Sequence, residues 1–255
     1  MTAETQARPG LRAWVALTSA EAKMIIRDYA NLLIPLGLPV LVLVMSASTA
    51  GSEEIPGTDY TAFELFVLPI VLAMVLGYIG MINVPAFLAH YRRAGVLRRL
   101  AVTPASPAMV LVAQIAVSAA QALAGVGIAL VVAAVAFDAR MPASVLAVAA
   151  VFALSMAALY ALGMIVASLA PSTNSAIALG VMLFLGLGAL GGMFGGRQAL
   201  PEALQQISPY LPFGAAVDAI GAAWAGVPVD IVSILSLMTT VTVGTAISLI
   251  WFRWE

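Results

Sequence analysis

FELFVLPIVLAMVLGYIGMINVPAFLAHYRRAGVLRRLAVTPASPAMV, Phe63 to Val110, passes from a long apolar stretch into a cluster of arginines and back into a second apolar stretch. A helix rises about 1.5 Å per residue and the hydrocarbon core of a bilayer is about 30 Å thick, so Phe63 to Ala89 is long enough to cross it. The cluster, Arg92, Arg93, Arg98 and Arg99, holds four of the chain's eleven basic residues. Lys and Arg concentrated between two spans mark a cytoplasmic loop.

Working outward, composition agrees. Of 255 residues, 63% are hydrophobic and 9% charged, with a mean hydropathy of +1.07; a soluble domain is about a quarter charged. Six stretches qualify as spans: Leu32 to Ala50, Phe63 to Ala89, Ala108 to Phe137, Val145 to Leu169, Ala176 to Phe194 and Val229 to Phe252. An even number of spans puts both termini on one side. Nine basic residues fall on that side, and only Arg140 and Arg197 fall on the other. Cytoplasmic termini and a multi-pass protein of the cell membrane are expected. There is no cysteine, hence neither a disulfide framework nor a thiolate metal site. Met1 to Gly10 lacks the apolar core of a signal peptide, so the N-terminus is expected to be retained.

The expected fold is all-α, with a cytoplasmic tail and interfacial helix over residues 1–30 and a membrane domain over 31–255. In the tail, Leu11, Trp14, Val15, Thr18, Ala22, Ile25 and Tyr29 recur at three- and four-residue steps. That describes an amphipathic helix on the membrane surface, or a soluble one packed on a partner. From Tyr91 to Thr103 a short cytoplasmic helix is expected, with Val96, Leu97 and Leu100 toward one side; Ser106 and Pro107 read as the start of the third span. Between spans five and six, Gly188, Gly192 and Gly196 step by four, as do Gly191 and Gly195. They suit close helix packing or a hinge. Pro201, Pro209 and Pro212 then punctuate two short amphipathic pieces, read as a helix pair that dips into the outer leaflet and returns. Leu200, Leu204, Ile207 and Leu211 face one way on the first, and Phe213, Val217, Ile220 and Trp224 on the second.

Catalytic chemistry is not indicated. The one histidine, His90, has no second metal-ligating residue near it. Glu64 and Asp230 sit at span ends, where water is expected to reach them, and no charged residue lies mid-span. Ion-coupled carriers usually keep ionisable groups at depth, so such a carrier is disfavoured. A phosphate-binding loop needs Gly-Lys before Ser or Thr, and the only lysine, Lys23, follows Ala22. Energy for transport would come from another polypeptide. On span three, Gln114, Ser118, Gln121 and Gly125 form one stripe, and span six carries Ser233, Ser236 and Thr240. Such groups face protein, either to pack helices or to line a cargo path, for which Gln114, Ser118, Gln121 and Thr240 are the candidates. Pro35 and Pro39 in span one, and Asn83 and Pro85 in span two, mark hinges or tolerated kinks.

Three stretches in order, YRRAGVLRRLAVTPASPAMVLVAQ (Tyr91 to Gln114), LGMIVASLAPSTNSAIALG (Leu162 to Gly180) and ISPYLPFGAAVDAI (Ile207 to Ile220), resemble the permeases of type-2 ABC exporters, especially the daunorubicin-resistance and multidrug branch. The resemblance runs from about Ala20 to the end. It implies that the first stretch holds the coupling helix, with Arg92, Arg93, Val96, Leu97, Arg98, Arg99 and Leu100 meeting the ATPase. Where many relatives have an acidic residue and a glycine before the basic pair, this chain has Tyr91-Arg92-Arg93-Ala94-Gly95. The implied partners are two copies of a cytoplasmic ABC ATPase carrying the ATP and Mg, and a second permease subunit, identical or similar; membrane lipids are expected around it, and no nucleic acid. This chain itself is expected to bind no cofactor. With no charge at depth and 7% aromatics, the expected cargo is an amphipathic drug or lipid-like molecule rather than an ionic one or a polysaccharide. A non-transporting membrane scaffold or assembly protein is the alternative, followed by an ion-coupled carrier.

Overall fold

The computed structural model describes residues 10–50, 55, 58–95 and 107–251, and no strand occurs among the described residues. Val96, Leu97, Arg98, Arg99 and Leu100 of the expected coupling helix lie outside the described residues, as does most of the 51–61 loop. The helices are α1 (Leu11–Arg27), α2 (Tyr29–Ala50), α3 (Phe63–Arg93), α4 (Pro107–Phe137), α5 (Val145–Leu169), α6 (Thr173–Leu190), α7 (Glu202–Ile207), α8 (Pro212–Ala225) and α9 (Ile231–Trp251). Six of them, α2 to α6 and α9, are long and apolar enough to span a membrane. The molecule is an all-α integral membrane protein.

Side-chain caps set the starts of five helices. Asp28 accepts the Asn31 amide at 3.2 Å and Ser172 the Ser175 amide at 3.1 Å, which starts α2 and α6 three residues before their expected first positions. Tyr29, placed on the surface helix by its periodicity, is therefore the first residue of α2. Ser144 and Asp230 start α5 and α9 in the same way. At the start of α3, Thr61 and Glu64 form a reciprocal capping box: the Glu64 carboxylate accepts the Thr61 amide at 2.7 Å, and Thr61 Oγ1 accepts the Glu64 amide at 3.3 Å. The carboxylate also accepts the Arg140 amide, which ties the α4–α5 turn to α3. Glu64 is thus 2% exposed, contrary to the expectation that water reaches it.

The glycines at and beyond the end of α6 divide their work. Gly192, Gly195 and Gly196 take φ of +90°, +97° and +84°, so the chain turns and α6 stops at Leu190 instead of running to Phe194. Gly188 and Gly191 make room for Met193 and Phe213.

All of this surrounds α3. Within its most apolar window 72% of residues are buried, against at most 33% in any other span, because α2, α4, α5, α6 and α8 all pack on it. Two π-helical turns, Phe63–Val67 and Ile79–Asn83, interrupt its α-helical course. At the second turn two neighbours reach its backbone. A Cβ on Gly163 of α5 would overlap the Gly80 carbonyl oxygen, and one on Gly180 of α6 the Met81 carbonyl oxygen. Gly244 of α9 then lies against Ala161 of α5. The re-entrant expectation holds for α8, which starts beside the middle of α3 and returns toward its beginning: Phe213 packs near Gly77 and Gly221 near Leu65. The expected stripe Phe213, Val217, Ile220 and Trp224 is buried. Its partner α7 is only six residues long and has no buried residue.

The clasp predicts unequal costs for one substitution at two helical glycines. Gly163→Leu should cost about 3 kcal/mol or prevent folding, because backbone must move. Gly186→Leu, with nothing within 4 Å of its Cβ position, should leave thermal stability in detergent unchanged or higher. Equal losses would refute the clasp.

Candidate functional site

The site is the end of the molecule where α1, the last turns of α3 and the first turns of α4 meet, immediately before and after the 96–106 segment. Three successive residues of α3 point three ways, as the 100° step of a helix requires. Tyr91 turns to α1, Arg92 to α5, and Arg93 is exposed.

Tyr91 is 5% exposed; its hydroxyl donates to Glu21 of α1 and lies 3.8 Å from Met24 Sδ. Leu17, Met24 and Val110 pack around it, and Ile25 meets Phe87 and Val117 a turn further on. The inner face of α1 therefore contains Glu21, four residues from both Leu17 and Ile25. Leu11, Val15 and Ile26 lie on its exposed side. Burial pushes the Glu21 carboxyl above the ordinary carboxylate range, and the Tyr91 bond offsets part of that shift. Arg92, expected to meet the ATPase, donates to the Ala167 carbonyl at 3.3 Å and to the Ala170 carbonyl. These are the unfilled acceptors at the C-terminus of α5, where a cation also suits the helix dipole. Both ends of the 96–106 segment are thus anchored, by Tyr91 and Arg92 on one side and by α4 on the other.

Deeper in, α2 is joined to α3 and α4 at one atom. The Asn31 carbonyl would normally accept from the amide four residues on, but that residue is Pro35, which has none. Gln121 Nε2 of α4 fills the place at 2.7 Å, and Asn83 Nδ2, at the end of the second π turn of α3, at 3.0 Å. Pro35, Pro39 and Leu43 form the buried stripe of α2. Gly125 completes the α4 stripe by admitting Leu36 and Val75.

The structure brings three of the four candidate path residues together. Gln114, Ser118 and Gln121 are all buried where α4 meets its neighbours, with Gln114 Nε2 3.5 Å from Ser118 Oγ. The amide oxygens of Gln114, Gln121 and Asn83 have no donor among the described residues. Thr240 is elsewhere: on α9 its hydroxyl bonds the Ser236 carbonyl at 2.8 Å, and α9 packs on α5 and α8. Sequence reasoning missed Glu21, whose signal was an acidic residue flanked by apolar ones at four-residue spacing on both sides. It also missed the union of Pro35, Asn83 and Gln121, which had been singled out separately.

A model of the family described as ABC-2 type transporter matches residues 12–225. The chain belongs to the ABC-2 type transporter family. It is accordingly a multi-pass transporter permease, and such permeases generally work with an ABC ATPase. The matched region contains both the α1 contact and the clasp on α3, and ends at the last residue of α8. No curated protein matches the chain.

The raised Glu21 carboxyl gives a signed prediction for this permease. A folded state that holds its proton more tightly than the unfolded state is favoured at acid pH, and the advantage is lost as pH rises through the folded value. Glu21→Gln should therefore melt close to the native protein at about pH 5 and increasingly above it toward about pH 8. Parallel melting temperatures across that range would show that Glu21 is not held in this way.

Proposed function

We propose that this permease exports an amphipathic drug or lipid-like molecule, driven by two copies of a cytoplasmic ABC ATPase that bind ATP and Mg, and that it works as a dimer with an identical or similar permease. Its termini and the 91–106 segment face the cytoplasm, in keeping with the nine-to-two basic asymmetry. The observation that carries the coupling role is the double anchoring of that segment. A push on residues 96–106 reaches α1 through Tyr91, the end of α5 through Arg92, and α3 and α4 directly. Val96, Leu97 and Leu100 present the apolar contact for the ATPase, with Arg93, Arg98 and Arg99 around it.

The cargo reading rests on the polar inventory. An ionic group buried without a partner is costly, and the spans hold no charge at mid-depth to offset it. The amides of Gln121 and Asn83 beside α2 suit a role in both states of a transport cycle: their nitrogens fasten α2 when it is seated, and with their unpaired oxygens these side chains line the path when α2 moves away.

Leu97→Asp together with Leu100→Asp should leave the permease inserted but abolish co-purification of its ABC ATPase. In vesicles holding the native complex, amphipathic drugs or lipids should stimulate ATP hydrolysis and sugar polymers should not. Retention of the complex by the double variant would refute the coupling site, and stimulation by polymers alone would refute the cargo class.

A further inference from the structure

The elbow between α1 and α2 carries two cations that no acid of the protein answers. Lys23 and Arg27 stand four residues apart on one side of α1. That side is neither the inner face, where Leu17, Glu21 and Ile25 lie, nor the exposed apolar side of Leu11, Val15 and Ile26. Both cations are exposed, and neither has a hydrogen bond or ion pair among the described residues. Of the nearby carboxylates, Glu21 is turned inward to Tyr91. Asp28 is engaged with α2: one oxygen accepts the Asn31 amide at 3.2 Å and the other the Asn31 side-chain nitrogen at 2.5 Å. Together with Tyr29 and Ala30 of α2, Lys23 and Arg27 line an open cleft of about 870 Å³.

A second observation bears on the occupant. Tyr29, the first residue of the span, is 74% exposed, and a tyrosine at a span end marks the level of the lipid headgroups. From it the exposed face of α2 continues as an apolar track. Leu33 and Leu41 are exposed, and Gly37, one turn from each, has nothing within 4 Å of its Cβ position, which leaves a notch in the track. Tyr29 to Gly37 is about 12 Å along the helix. Pro35, Pro39 and Leu43 occupy the opposite, buried side, so the track is turned away from the rest of the chain. Unpaired positive charge at headgroup level therefore stands directly above a grooved apolar surface.

We propose that the elbow binds one anionic glycerophospholipid, its phosphate between Lys23 and Arg27 with the Tyr29 hydroxyl as a further donor, and one acyl chain over Gly37 between Leu33 and Leu41. Charge selects the class. A choline or ethanolamine headgroup would bring a third cation beside the two, and Asp28 is already taken by Asn31. A second permease laid along α2 would fill the notch but leave both cations unanswered. The bound lipid fastens the joint between α1, which is tied to Tyr91, and α2, which is the less tightly held span. The site is independent of what the permease moves.

The test uses the whole chain, purified in detergent with equal amounts of dioleoyl phosphatidylglycerol and dioleoyl phosphatidylcholine, and counts retained lipids by native mass spectrometry. One phosphatidylglycerol should be retained in preference to phosphatidylcholine. Lys23→Gln with Arg27→Gln should lower that preference about thirtyfold, roughly fivefold for each basic side chain. Arg12→Gln with Arg93→Gln removes the same charge from exposed positions elsewhere and should leave the preference intact. Gly37→Trp, which fills the notch, should weaken retention severalfold with both cations in place, and excess inorganic phosphate should not displace the lipid. No preference for phosphatidylglycerol, equal loss in the two double variants, unchanged retention by Gly37→Trp, or displacement by phosphate would overturn the proposal. If the variant lacking Lys23 and Arg27 does not elute as folded protein, phosphatidylglycerol with a photoreactive headgroup decides the matter on the native chain. Label within residues 23–30 supports the site, and label spread evenly to Arg12 and Arg93 overturns it.

Discussion

Backbone-to-backbone contact around α3 is the constraint on which the other helices depend. Between helices in hydrocarbon there is little hydrophobic drive, since lipid tails are as apolar as leucine, so close approach and interhelical hydrogen bonds must hold the bundle together. Gly163 and Gly180 allow α5 and α6 to touch the carbonyls of Gly80 and Met81. The π turn at Ile79–Asn83 is the part of α3 that receives them. With α5 and α6 fixed there, α9 follows through Gly244, and α8 lies beside the first half of α3.

The other side of α3 is held differently. There α2 contributes a narrow buried stripe, and its Pro35 leaves the Asn31 carbonyl to be satisfied by side chains of α3 and α4. A joint made of two amide hydrogen bonds can open and re-form more readily than a contact in which backbones touch. The architecture thus separates a rigid part, α3 with α5, α6, α8 and α9, from a less tightly held part, α2. On the coupling role proposed for the 96–106 segment, motion would enter this arrangement at its ends, since Tyr91 and Arg92 extend the same helix that carries Asn83 and the glycine clasp.

Much of this was legible in the sequence. Six apolar runs gave the spans, and the Phe213, Val217, Ile220 and Trp224 stripe marked the buried face of α8. The errors have local causes. Hydropathy cannot see caps, so α2 and α6 were started late at Leu32 and Ala176, although Asp28 and Ser172 were there to be read. Thr61 and Glu64 carry the spacing of a capping box, but a glutamate at a span end reads first as solvated. Gly163, Gly180 and Gly244 stand singly in apolar helices, and only the crossing of two helices distinguishes them from Gly127 or Gly186, which touch nothing. Arg92 was read with its neighbours as one basic cluster; the helical step sends it to the end of α5, which no local pattern reveals. The amides of α4 were recognised as facing protein, whereas the acceptor of Gln121 on α2 depends on a proline 86 residues away in chain and adjacent in space.

That acceptor admits a direct test. Pro35→Ala restores an amide that can bond Asn31 within α2, and Gln121→Met removes one of the two side-chain donors at nearly constant volume. The measurement is a double-mutant cycle of unfolding stability in detergent on these two positions. The account predicts that Gln121→Met destabilises the native chain by about 1–2 kcal/mol and has a much smaller effect when Pro35 is already alanine. An equal cost in both backgrounds would contradict it, and would mean that Gln121 serves the fold by some means other than the carbonyl that Pro35 leaves open.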